Sequence, residues 1–132
     1  MSKSYGNAIA LTMTEDETAA AIRKTVTDSD RLISFDPQIR PGVSALLSTA
    51  ALCLGTQPEE IATQIGDQGS GELKRLTTDA VNSFLAPMRA RRADLAQDSG
   101  LASEVLRRGN DRANTIAATT LDEVRTVMGT RY

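Results

Sequence analysis

Lys3 stands between two serines in the opening run Met1-Ser2-Lys3-Ser4-Tyr5-Gly6-Asn7. A lysine ammonium on a flexible stem, flanked by hydroxyls, suits neutralising charge on a polyphosphate. Gly6 and its short polar neighbours favour a loop. Further cations lie far along the chain: Arg89, Arg91 and Arg92, then Arg107, Arg108 and Arg112. Arginine forks hold phosphate oxygens without reading bases, so two such sets on one edge of antiparallel helices would suit an RNA backbone. They equally suit a solvated helix surface on which the arginines pair with Asp94, Glu104 and Asp111. Sequence alone leaves both readings open.

Other chemistries find less support. The chain has no histidine to act as base and one cysteine, Cys53, with no neighbouring cation to activate it. A structural zinc site is not expected from this inventory, and no intramolecular disulfide can form. Carboxylates are plentiful, but they fall at helix starts or on expected exposed sides, and no spacing singles out an acid–base pair.

The elements that must carry these residues read as helices. Thr14-Glu15-Asp16-Glu17 is a capping box with an acidic first turn, and predicts a helix to about Val26 with Ala19, Ile22 and Val26 inward. Phe35-Asp36-Pro37 and Arg40-Pro41-Gly42 interrupt the helical pattern. A second helix is expected from about Val43 to Leu54, with Val43, Leu46, Leu47, Ala50 and Leu54 on its core face and Cys53 beside it. Gly55 stops it. A short third helix carries Ile61 and Ile65 inward before Gly66.

The run from Gly66 to Gly71 has the glycines of a phosphate cradle but not the preceding strand, which favours a helix-to-helix turn. A fourth helix is expected from near Glu72, carrying Leu73, Leu76, Ala80, Val81, Phe84, Leu85 and Met88, with a kink near Ser83 caused by Pro87. A fifth starts after Gly100 and offers Leu101, Val105, Leu106, Ala113, Ile116, Ala117, Leu121, Val124 and Met128 inward. No alternating strand pattern appears. The expected fold is all-α, a bundle of about five helices whose second, fourth and fifth members carry most of the large aliphatic residues. Residues 1–13 form a loop and lead-in, and residues 14–132 the helical domain.

The chain of 132 residues is 40% apolar, which fits one folded domain. No apolar run approaches the roughly 20 residues of a membrane span, no secretory leader is apparent, and a cytoplasmic setting is expected. The net charge of -2 is uneven. Residues 1–70 hold five basic against nine acidic side chains, and residues 71–132 hold ten against eight. This distribution allows a local phosphate-tracking surface but not a general nucleic-acid binder.

Taken in order, several segments resemble the C-terminal part of the tryptophanyl-tRNA synthetases, class I aminoacyl-tRNA synthetases. Met1-Ser2-Lys3-Ser4 matches the last four residues of their Lys-Met-Ser-Lys-Ser loop, without its leading lysine. Ala21-Ile22-Arg23-Lys24, Phe35-Asp36-Pro37, the run from Pro41 to Leu47, Leu85-Ala86-Pro87-Met88-Arg89 and the run from Leu121 to Gly129 continue the likeness. Ser70 stands where the family carries an aromatic residue between two glycines. The resemblance implies that Ser2, Lys3 and Ser4 occupy ATP-contacting positions, Lys3 stabilising charge on the transferred phosphates. It also implies that the helices correspond to the domain that receives the tRNA anticodon.

ATP and magnesium are implied only together with the family's Rossmann half, and no cofactor is expected for this chain alone. Lys3 cannot by itself position tryptophan, ATP and magnesium for in-line reaction, so autonomous aminoacylation is not expected. Three readings follow: a tRNA-binding or interaction module, one half of a split synthetase working with a Rossmann-domain subunit, or a paralogue that binds a regulatory protein.

Overall fold

A computed structural model of the chain describes residues 8–98 and 100–130. It is all-α: α1 Glu15–Arg23, α2 Pro41–Leu54, α3 Pro58–Ile65, α4 Gly69–Ala96 and α5 Leu101–Val127. No strand forms among the described residues, as the sequence pattern predicts. The chain divides into two compact units, Met1–Ala90 and Arg91–Tyr132, with the boundary inside α4.

Each helix boundary has a local cause. Thr14 accepts the Glu17 N–H at 3.2 Å while the Glu17 carboxylate accepts the Thr14 N–H at 2.8 Å, the reciprocal box expected from their spacing. Pro41 and Pro58 open α2 and α3 at positions where a missing N–H costs no helical hydrogen bond. This moves the start of α2 two residues ahead of the expected Val43. Gly55, at φ 70°, ends α2 in the left-handed region that glycine enters without a steric penalty. The expected helix-to-helix turn shrinks to Gly66-Asp67-Gln68, because α4 starts at Gly69 rather than Glu72.

The core of the first unit is assembled from α1 to α4. Ile22, Val43, Leu46, Leu47, Ala50, Ile61, Ile65, Leu73, Val81 and Leu85 are all buried in one cluster, with Cys53 and Leu76 partly buried against it. Burial pushes the Cys53 thiol above its ordinary value, consistent with a packing role. Ile33 joins this core from the irregular segment between α1 and α2. Its N–H donates to the Gly66 carbonyl at 2.8 Å, fastening that segment to the α3–α4 turn.

A buried arginine holds the same segment together. Arg40 precedes Pro41 and is only 8% exposed. Its Nε and Nη2 donate to the Asp28 carboxylate at 2.8 and 2.6 Å. Nη1 donates to the Leu32 carbonyl at 2.6 Å and the Ser34 hydroxyl at 3.0 Å, and Nη2 also donates to the Asp30 carbonyl at 3.3 Å. All five guanidinium donors thus have acceptors. Nearby, the buried Ser44 hydroxyl of α2 accepts the Asp36 N–H at 3.0 Å, and the Asp36 carboxylate accepts the N–H groups of Gln38 and Ile39. A Cβ on Gly42 would lie 2.1 Å from the Val26 carbonyl oxygen, so the close approach of α2 to the chain beyond α1 requires glycine there.

α1 is bound to α4 by polar contacts. Lys74 Nζ donates to the Arg23 carbonyl at the end of α1 at 3.2 Å, and Asn82 Nδ2 to the Glu15 carbonyl at 3.4 Å. The fully buried Thr18 hydroxyl donates to the Thr14 carbonyl and accepts from Arg89 Nη2 at 2.8 Å.

Several expected core positions lie elsewhere. α1 stops at Arg23, three residues early, which leaves Val26 85% exposed. Leu54 is exposed at the last turn of α2, next to the Gly55 cap. Phe84 is 58% exposed and Met88 is also exposed, because α4 buries the stripe of Leu73, Thr77, Ala80, Val81 and Leu85, and Phe84 falls beside it. α4 continues through Pro87, the residue expected to kink it near Ser83, to Ala96. In α5 no residue is buried; the inward assignments of Val105, Leu106, Ala113, Ile116, Ala117, Leu121, Val124 and Met128 fail within this chain, and Leu101 is only half-buried. The periodicity of α5 marked an apolar face correctly, but periodicity does not say what covers a face.

Two predictions follow from this packing. Leu46→Ala should destabilise the fold by about 2–5 kcal/mol, whereas Phe84→Ala should cost less than about 1 kcal/mol. Urea denaturation giving equal losses for the two would contradict the assigned core. The second concerns acid. The Arg40 hydrogen bonds hold the Asp28 carboxyl below its ordinary value, as Arg75 does for Glu72. A folded-state pKa below the unfolded one gives stabilisation that is complete above the ordinary carboxylate value of about 4 and fades as pH falls toward the depressed value. The urea midpoint should therefore drop on acidification below about pH 4. Asp28→Asn should flatten that drop without abolishing it, since Glu72 acts with the same sign; an identical pH profile for the variant would refute the assignment.

Candidate nucleic-acid interface

The six arginines singled out by charge pattern fall into three structural situations. Arg89 is half-buried and turned into the first unit, with Nη1 on the Asn82 side-chain oxygen at 2.9 Å and Nη2 on Thr18. Its Nε is buried with no partner among the described residues. Arg89 therefore ties α4 to α1, a role its position after Pro87 does not reveal.

Arg107 and Arg108 are exposed but engaged along their own helix, with Asp111 at 3.5 Å and Glu104 at 2.8 Å. Both pairs are four residues apart, the spacing that brings side chains together on a helix surface. Being exposed, they contribute little to stability and exchange readily with other anions.

Arg91, Arg92 and Arg112 are exposed and make no ion pair among the described residues. Arg91 and Arg92 sit near the end of α4, and Arg112 lies one turn beyond Arg108 on α5. No described hydrogen bond or ion pair joins Arg91 or Arg92 to α5. The expected pairing of these arginines with carboxylates is realised for Glu104 and Asp111 but not for Asp94. Flexible guanidinium groups of this kind can form paired N–H contacts to phosphate oxygens, which fix position on a backbone without specifying base identity.

Ser2, Lys3 and Ser4 lie outside the described residues. Ser70 sits half-buried in the first turn of α4. Gly66 and Gly69 serve the turn between α3 and α4, as the helix-to-helix reading expected.

One concavity was not foreseen. A shallow cleft of about 400 Å³ lies against the segment between α1 and α2, with Leu32, Phe35 and Ala62 on its wall and Glu59 and Thr63 at its side. The Ile33–Gly66 backbone bond creates it by pulling the irregular segment onto α3. Its polar lining consists of the Glu59 carboxylate and the hydroxyls of Ser34 and Thr63. Among the described residues no cluster of side chains could hold a metal ion, and no helix is long and apolar enough to cross a membrane.

Comparison with known proteins identifies the family of the chain. The family described as tRNA synthetases class I (W and Y) matches residues 1–86. The tryptophan–tRNA ligase of Halalkalibacterium halodurans is 36% identical over 132 residues, covering 98% of this chain and 40% of that protein. Tryptophan–tRNA ligase 1 of Streptomyces coelicolor is 36% identical over 108 residues, 82% of this chain and 32% of its own length. The Mycobacterium leprae tryptophan–tRNA ligase is 34% identical over 127 residues, 94% and 37% respectively. The chain thus spans two fifths or less of these curated relatives.

Proposed function

Because the chain belongs to the tRNA synthetases class I (W and Y), we propose that it is a tryptophanyl-tRNA synthetase-like helical module that binds tRNA and does not aminoacylate by itself. The observation that carries this reading is the exposed, unpaired state of Arg91, Arg92 and Arg112 among the described residues of a chain aligned nearly end to end with tryptophan–tRNA ligases. Arg107 and Arg108 join the set by exchanging their weak intrahelical partners for phosphates. Arg89 supports them indirectly, by fixing α4 against α1 through Asn82 and Thr18.

A second reading is favoured by the family match over residues 1–86, which include Lys3. Here the chain supplies the C-terminal half of a synthetase and a separate Rossmann-fold subunit supplies the nucleotide and tryptophan sites. Lys3 would then stabilise charge developing on the phosphates of ATP, with Ser2 and Ser4 beside it.

The two readings have separate tests. For RNA contact, Arg92→Ala and Arg108→Ala should each weaken binding of tRNA bearing the tryptophan anticodon and lower the slope of log affinity against log salt by about 1. Unchanged affinity at low salt in both variants would remove the arginine edge and leave the regulatory protein-binding paralogue. For the split synthetase, mixing with a Rossmann-domain subunit should restore tryptophan-dependent ATP–pyrophosphate exchange, and Lys3→Ala should slow it about a hundredfold without weakening assembly. Equal exchange rates with and without Lys3 would end that assignment.

A further inference from the structure

We propose that the cleft between segment 32–35 and α3 is a docking site for an arginine side chain of a basic protein partner. The cleft holds about 400 Å³, and every residue lining it lies between positions 32 and 66, so it belongs to the first unit alone. Its wall is built before any partner arrives. Arg40 Nη1 donates to the Leu32 carbonyl at 2.6 Å and to the Ser34 hydroxyl at 3.0 Å, and the Ile33 N–H donates to the Gly66 carbonyl at 2.8 Å. Docking therefore orders no loop, which removes one of the main costs of association.

The chemistry of the lining selects a hydrogen-bond donor on an apolar stem. Leu32, Phe35 and Ala62 supply hydrocarbon surface. The Thr63 hydroxyl donates its proton to the Glu59 carbonyl at 2.8 Å, so it meets a ligand as an acceptor. The Glu59 carboxylate accepts no hydrogen bond and joins no ion pair among the described residues. These two acceptors stand four residues apart on α3, the spacing of neighbours on one helix face. An arginine matches both features. Its methylene stem lies along apolar surface, and its planar head stacks on an aromatic ring such as Phe35 and forms paired N–H bonds to a carboxylate. An anionic ligand would meet no cation in the lining.

Charge around the cleft agrees. Segments 28–36 and 58–67 hold Asp28, Asp30, Asp36, Glu59, Glu60 and Asp67 against Arg31 alone. Arg40 pairs with Asp28, and the remaining five carboxylates join no ion pair among the described residues. Such an excess attracts a basic surface and repels an RNA backbone. The inference thus stands apart from RNA binding, which uses the arginines of α4 and α5.

The test is titration of the isotopically labelled full chain with a peptide of Arg-Gly-Gly repeats, with amide chemical shifts locating the contact and fluorescence anisotropy giving the affinity. Shifts are expected at Leu32, Phe35, Ala62, Thr63 and Gly66. The same peptide with citrulline in place of arginine keeps the shape, loses the charge, and should leave these amides unmoved. Glu59→Gln should weaken binding about tenfold, and Leu32→Ser by a smaller factor. Glu60→Gln removes the same charge one residue away, outside the lining, and should weaken it less than about twofold. Equal losses for Glu59→Gln and Glu60→Gln would reduce the effect to general acidity and overturn the site. Unmoved amides with the arginine peptide, or equal binding of the citrulline peptide, would overturn it as well. Free argininamide binding as tightly as the peptide would replace the protein partner by a small cation. A single-stranded oligonucleotide that shifts the same amides, and binds more tightly after Glu59→Gln, would overturn the proposal in favour of RNA.

Discussion

A guanidinium taken out of water must find an acceptor for each of its N–H groups, or the charge becomes a liability to the fold. Arg40 meets this demand with the Asp28 carboxylate, two backbone carbonyls and a serine hydroxyl, all drawn from the irregular segment that precedes it. The segment has no helical hydrogen bonds of its own to order it. Arg40 therefore organises it from within, and so sets Ile33 in the core and Pro41 at the start of α2. Placement of α2 against α1 and α3 follows from the same set of bonds, which gives the first unit its shape.

Helix existence, order and class were legible in the sequence because they depend on local signals. The Thr14–Glu17 box, Pro41 and Pro58, and the terminating Gly55 and Gly66 act within a few residues of themselves. Core membership was legible only where the apolar stripe was broad, as in α2. In α4 the choice between Phe84 and its neighbour Leu85 depends on how the helix is rotated against α1, and that rotation is set by Arg89, Asn82 and Lys74 reaching across to Thr18, Glu15 and Arg23. Such contacts span some fifty to seventy residues of chain and leave no local pattern. The role of Arg40 was hidden for the same reason, since beside Pro41 it reads as a loop arginine.

The candidate site shows the same division. Charge pattern identified six arginines but could not sort them by what they already hold. Geometry separates Arg89, engaged with neutral side chains inside the first unit, from Arg107 and Arg108, which make exchangeable surface pairs, and from Arg91, Arg92 and Arg112. The distinction matters for electrostatics as well as for binding. Intrahelical carboxylates engage Arg107 and Arg108 of α5, while Arg91 and Arg92 near the end of α4 make no ion pair among the described residues.

The meeting of Gly42 with the Val26 carbonyl has an architectural consequence. The intervening residues leave and re-enter the helical framework at nearly the same point, so they form a compact lobe in the manner of an Ω-loop. Doubling the length of a closed loop costs only about 0.6 kcal/mol in chain entropy. The exposed tip at Pro37-Gln38-Ile39 is thus a place where relatives can gain or lose residues, or a grafted peptide be carried, while the helices on either side keep their positions.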